Sequence, residues 1–268
     1  MHHDDEYAGT EGNGTAPLAR VFISALGCRN SREQRWSSIG VSSICLALGA
    51  VGQQSLLPYP ARLLLVGLLF GVTAALFGIT SWGRLSGAHL DPVIEVTFWL
   101  LGKAHWHDLV GYVTAQFLVA IVGTPFVALV RAQQARDVSF GATQPGRGIT
   151  PLTAAALEAA MTAVIVLLIL FMACHPGTTR YLPIALTVAI GLLVWQMAPF
   201  TGASVNPACS LGSAIFARVT SNYWVYAVGS VHRLVPATEI LTTKMFHDSS
   251  YPTTMASALK VSNGEPSD

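Results

Sequence analysis

Apolar residues in this chain come in long blocks separated by short polar breaks. Six blocks stand out, at roughly 38–57, 61–82, 108–130, 152–173, 181–199 and 223–243. A bilayer core of about 30 Å is crossed by about 20 mostly apolar residues in a helix, so each block predicts a membrane span. The block at 61–82 runs Leu63-Leu64-Leu65-Val66-Gly67 through Ile79, and the block at 152–173 is unbroken from Val164 to Phe171. The last block is interrupted by His232, Arg233, Pro236 and Glu239. Charges inside a span are expensive and face a cavity or a partner, so this segment is either a specialised span or no span at all.

Two further apolar segments, 91–101 and 206–217, are too short to cross at about 1.5 Å per residue. Each follows a glycine-containing turn, and each sits between the second and third block of its half. Non-helical backbone at membrane depth is tolerated only where it lines a cavity or is buried in protein, so the pair predicts loops that enter the membrane and return as half-helices. The flanking residues repeat without a gap: Ser86-Gly87-Ala88-His89-Leu90-Asp91-Pro92-Val93 against Thr201-Gly202-Ala203-Ser204-Val205-Asn206-Pro207-Ala208. Three spans per half is an odd number, which turns the second half over and gives an inverted repeat. The expected fold is an all-α membrane protein of six transmembrane helices and two re-entrant half-helices. Its parts are a disordered polar N-terminal tail (1–35), a first half (36–131), a linker loop (132–150), a second half (151–245) and a C-terminal tail (246–268).

Asp91 and Asn206 are good N-cap residues, and Pro92 and Pro207 fall at the first helical position, where a missing N–H costs nothing. If the two half-helices meet head to head, their positive dipole ends converge near the midplane. Such a point repels cations and presents donors to a passing polar molecule.

Composition supports lipid as the solvent: 52% of the chain is hydrophobic and 11% charged, where a soluble domain carries about 25% charged residues. A net charge of +1 suggests no nucleic-acid partner. The four cysteines are scattered, without metal or disulfide-framework spacing. The polar, glycine-containing start does not read as a cleavable signal peptide. Basic residues place both termini in the cytoplasm: Arg20, Arg29, Arg32, Arg35, Arg84, Lys103, Arg180, Lys244 and Lys260 on that side outnumber Arg62, Arg131, Arg136, Arg147 and Arg218 on the other. His105-Trp106-His107 reads as an interfacial aromatic cluster. No phosphate loop, catalytic triad or zinc pattern is present, so no catalytic residue, cofactor or metal is expected.

On the doubled motif, the chain resembles the aquaporin and aquaglyceroporin, or major intrinsic protein, family over roughly residues 36–245. The resemblance implies a passive channel for a small uncharged solute (water, glycerol or urea), four pores per tetramer, in the plasma membrane. It implies a central pore pair formed by Asp91, Pro92 and Val93 with Asn206, Pro207 and Ala208. It also makes Glu158 the anchor of the second re-entrant loop, Gln116 the glutamine of the third span, and Phe70, Val194, Ala203 and Cys209 the outer constriction. Phe70 requires a one-residue shift; ungapped counting gives Gly71. Cation exclusion in the family rests on an arginine or on half-helix dipoles.

The departures reshape that picture. Asp91 stands where the family has asparagine; an amide donates to the pore, whereas an ionised carboxylate only accepts. Burial and the helix dipole pull its charge in opposite directions, which leaves its state open. Cys209 replaces the constriction arginine, so the expected ring is wide and apolar, although Ser210 and Ala214 match residues more usual in water channels. Glu95 replaces a threonine one turn beyond the cap and, with His89 and Asp91, makes an acid and charge cluster. It reads either as a proton or cation site or, more simply, as Glu95 favouring the helix start and bonding backbone. The first-helix glutamate expected near Ser38 is missing, and Arg233 lies where small residues normally pack and could pair with Asp91, Glu95 or Glu239. These features keep two alternatives open: a membrane-embedded enzyme using Asp91 and Glu95 on the same scaffold, and a pore-closed relative.

Overall fold

The computed structural model describes residues 56–80, 83, 89–101, 104–130, 132–174 and 176–232, and these form helices with no strand among them. In chain order they are α1 (Tyr59–Ile79), α2 (Pro92–Leu100), α3 (Trp106–Val130), α4 (Ala132–Asp137), a 3-10 turn at Ser139–Gly141, α5 (Pro151–Cys174), α6 (Pro176–Thr179), α7 (Leu182–Thr201), α8 (Pro207–Ala217) and α9 (Tyr223–His232). Among the described residues, four stretches are long and apolar enough to cross a membrane: Tyr59–Ile79, Trp106–Pro125, Pro151–Met172 and Leu182–Thr201. They correspond to the second, third, fourth and fifth expected blocks. The first block lies almost wholly outside the described residues, as do both tails and the last block beyond His232.

The long helices turn large apolar side chains outward. Leu76, Leu118 and Ile184 are more than half exposed, an arrangement suited to acyl chains rather than water. With lipid outside, helices gain little from the hydrophobic effect on meeting one another and associate through close packing at small residues. That is how α1 and α7 cross. A Cβ added at Gly71 would lie 2.5 Å from the Thr187 Cα, and one at Gly67 would lie 2.7 Å from the Val194 Cβ. The same device seats α8 on α3, where a Cβ at Gly212 would fall 2.3 Å from the Ala120 carbonyl oxygen.

α5 packs against elements of both halves. Near its start, Ala154 and Ala155 pack with Val225 and Tyr226 of α9. Further along, Val166 and Leu170 pack on Val93 of α2, and Ile165 and Ile169 join Phe98 and Leu182. One helix therefore touches both the half-helix of the first half and the closing helix of the second.

The segment expected as a plain linker loop is more ordered than that. It carries α4 and the 3-10 turn, and its later residues bind to the second half: the Gly146 N–H donates to the Phe200 carbonyl at 2.7 Å.

Candidate functional site

Two short helices start from matching chemistry. Asp91 takes an extended backbone (φ −138°, ψ 126°) and its carboxylate accepts the Val93 N–H at 2.8 Å, with Pro92 opening α2. Asn206 does the same (φ −133°, ψ 107°): its Oδ1 accepts from Ala208 N–H at 3.0 Å and Cys209 N–H at 3.2 Å, with Pro207 opening α8. Pro92, Val93, Pro207 and Ala208 are all buried. The two starts meet, because Asn206 Nδ2 donates to the Leu90 carbonyl at 2.8 Å across the halves. Two amino ends, each equivalent to roughly half a positive charge, thus face one region.

The approach to α8 is a tight loop. α7 ends on Gly202 at φ 84°, and Ala203 and Val205 follow at φ 49° and 55°. A left-handed backbone is unfavourable for residues carrying a Cβ, above all a β-branched one. Glu158 of α5, fully buried, holds the loop there by accepting Ser204 N–H at 3.1 Å on one oxygen and Val205 N–H at 2.8 Å on the other. Thr201 adds its hydroxyl to the Ala203 N–H at 3.0 Å, and the Tyr226 hydroxyl fixes the Thr201 carbonyl at 2.7 Å. The Tyr223 hydroxyl reaches the Pro207 carbonyl at 3.2 Å.

On the first side, His89 Nδ1 lies 2.9 Å from Glu95 Oε1, and the imidazole stacks on Phe98 with ring centroids 4.8 Å apart. Gln116 Nε2 donates to the His89 carbonyl at 3.0 Å. Among the described residues, Glu95 bonds the His89 side chain. The Asp91 carboxylate interacts electrostatically with both Glu158 and Glu95. His89, Asp91 and Glu95 are brought together; Arg233 lies outside the described residues.

Of the four expected constriction residues, Val194 of α7 lies against Gly67 of α1, and Phe70 is on α1 one turn beyond Gly67. Phe70 packs with Phe77 near Leu90. The ungapped alternative, Gly71, is taken up by contact with Thr187. Ala203 is buried within the strained loop, and Cys209 is half-buried on the first turn of α8. Sequence reasoning missed a hydroxyl chain behind them, in which Thr143 Oγ1 meets Ser210 Oγ at 2.8 Å and Ser210 meets Ser204 Oγ at 2.5 Å. Its signal in the sequence was Gly146, where an added Cβ would lie 2.1 Å from the Pro199 carbonyl oxygen of α7.

The chain matches known proteins along most of its described length. It is 31% identical over 155 residues to a probable NIP-type aquaporin of Nicotiana alata, covering 56% of this chain and 54% of that one. It is 32% identical over 179 residues to aquaporin-4 of Rattus norvegicus, covering 65% and 54%. The chain spans about half the length of the curated relatives it matches. Its fold superposes on the X-ray structure of the aquaglyceroporin from Plasmodium falciparum with a TM-score of 0.67 at 19% identity, covering 79% of this chain and 96% of that one. The profile described as Major intrinsic protein matches residues 37–232, and with the doubled, capped half-helices meeting at Leu90 and Asn206, the chain belongs to the major intrinsic protein family.

Proposed function

We propose that this protein is a passive channel that lets a small uncharged solute cross a membrane past the Asp91–Asn206 junction. The observation that carries the reading is the hydrogen bond from Asn206 to Leu90, which brings the two half-helix starts together. Water, glycerol and urea are the candidate solutes, and both relatives named above are aquaporins. Asp91, Pro92, Val93, Asn206, Pro207 and Ala208 form the central passage. Phe70, Val194, Ala203 and Cys209 form an outer constriction that is wide and apolar, because a cysteine stands where an arginine would narrow and charge it. Glu158 anchors the second loop, and His89 with Glu95 braces the first. The channel functions as a homotetramer in the plasma membrane with both termini in the cytoplasm.

Reconstitution into liposomes tests the channel itself. Stopped-flow light scattering is expected to show faster volume recovery than protein-free vesicles for at least one of water, glycerol and urea. Rates equal to protein-free vesicles for all three, with folded protein in the membrane, would overturn the reading.

A further inference from the structure

Thr143 sits on the segment between α4 and α5, which is pinned on both sides of it. Phe140 lies against Phe216 of α8 with ring centroids 6.2 Å apart, and the Gly146 N–H donates to the Phe200 carbonyl of α7 at 2.7 Å. Between these anchors Thr143 is half-buried and fills the space beside Gly202, where an added Cβ would fall 2.8 Å from the Thr143 Cβ. Its Oγ1 meets Ser210 Oγ at 2.8 Å, and Ser210 meets Ser204 Oγ at 2.5 Å. The chain ends on the junction, because Ser204 Oγ donates to the Asn206 carbonyl at 2.9 Å. A hydroxyl carries one hydrogen. With that of Ser204 on Asn206, Ser210 donates to Ser204 and Thr143 donates to Ser210.

The two serines are chain neighbours of two constriction residues: Ser204 follows Ala203, and Ser210 follows Cys209. The loop between them does not hold its shape by local preference, since Ala203 and Val205 stand at φ 49° and 55°, where a Cβ is unwelcome. Glu158 restrains this loop through its N–H groups. The hydroxyl chain adds a different restraint, tying the loop to the first turn of α8 and both to the connecting segment. Ser210 is almost wholly buried, so no bulk water stands ready to replace Thr143 as its donor.

We infer that Thr143 is a positioning residue for the outer constriction: through Ser210 and Ser204 it keeps Ala203 and Cys209 at a fixed spacing, and so sets how strongly the pore favours water over glycerol. The inference rests on the channel reading above. A ring whose members can move apart admits the wider solute more than it helps the smaller one.

The test is the ratio of glycerol to water permeability in proteoliposomes. T143V keeps the volume of the side chain and removes the donor, and S210A breaks the chain at its middle. Each is expected to raise the ratio by about three- to tenfold, the factor that corresponds to one net hydrogen bond. The double variant should rise no further than either single one, as for residues acting in one network, and T143S should return the ratio to its native value. Glycerol and water fluxes that fall in proportion in T143V and S210A, leaving the ratio unchanged, overturn the inference and leave the channel standing. Additive effects in the double variant also overturn it, because Thr143 would then act on the solute directly. A native chain at the rate of protein-free vesicles for water, glycerol and urea overturns the channel reading instead.

Discussion

His89 and Glu95 hold each other at 2.9 Å across the start of the first half-helix, with the glutamate carboxylate almost wholly buried. Removing Glu95 leaves the imidazole without its partner inside the protein. Glu95→Ala is expected to lower stability by about 1.5–3 kcal/mol, the usual worth of a hydrogen bond to a charged group. Glu95→Gln keeps an acceptor oxygen and should lose less than half of that. Thermal unfolding in detergent, followed by circular dichroism, separates the two; equal losses would show that volume, not the hydrogen bond, matters.

The second loop offers a sharper case, because strain and restraint can be changed separately. Glu158→Ala removes both acceptors of Ser204 and Val205 and leaves two part-buried N–H groups without them, at an expected cost of about 2–5 kcal/mol. Val205→Gly relieves the positive φ and should recover about 1 kcal/mol of that loss in the double variant. A double variant no more stable than Glu158→Ala would show that the loop has already left its left-handed geometry.

Gly212 tests whether the second half-helix depends on its seat. A methyl at this position would press into the Ala120 carbonyl of α3, and overpacking of this kind costs about 1–3 kcal/mol. Gly212→Ala should therefore lower the unfolding temperature and reduce solute flux together. Liposome flux retained at the native level would mean that α8 can shift without moving Asn206.

Cys209→Arg places a long cation on the first turn of α8, where the family carries its constriction arginine. Glycerol and urea flux should drop at least about tenfold, since a barrier of about 1.4 kcal/mol suffices for that factor. Water, the smallest of the three, should drop least. Stopped-flow comparison of the three solutes checks the order, and an equal loss of all three would point to misfolding.

How far the sequence spoke for itself depended on the range of the interaction. Both half-helices were legible because a cap, a proline and a short apolar run are neighbours along the chain, and α2 and α8 start where Asp91 and Asn206 indicate. The proximity of His89 and Glu95 was legible for the same reason. The stacking of His89 on Phe98 was not, because which ring the imidazole meets depends on how α2 packs. The hydroxyl chain from Thr143 to Ser210 was invisible, because the segment carrying Thr143 reads as polar loop until α7 gives it a surface. Gly71 against Phe70 was a question of one residue of register, and the depth of the α1–α7 crossing places Gly71 against Thr187.

The stitching of Gly146 to Phe200 and of Thr143 to Ser210 has a consequence for how the chain can be rearranged. A circular permutation or a split into two co-expressed fragments looks natural midway along the connecting segment, where the repeat pattern lapses. Residues 142–150 nevertheless belong to the wall of the second half. A break placed before Ser139 keeps Phe140, Thr143 and Gly146 on the fragment that carries their partners Phe216, Ser210 and Phe200, whereas one placed after Gly146 strips α7 and α8 of a brace and sends it away with the wrong partner.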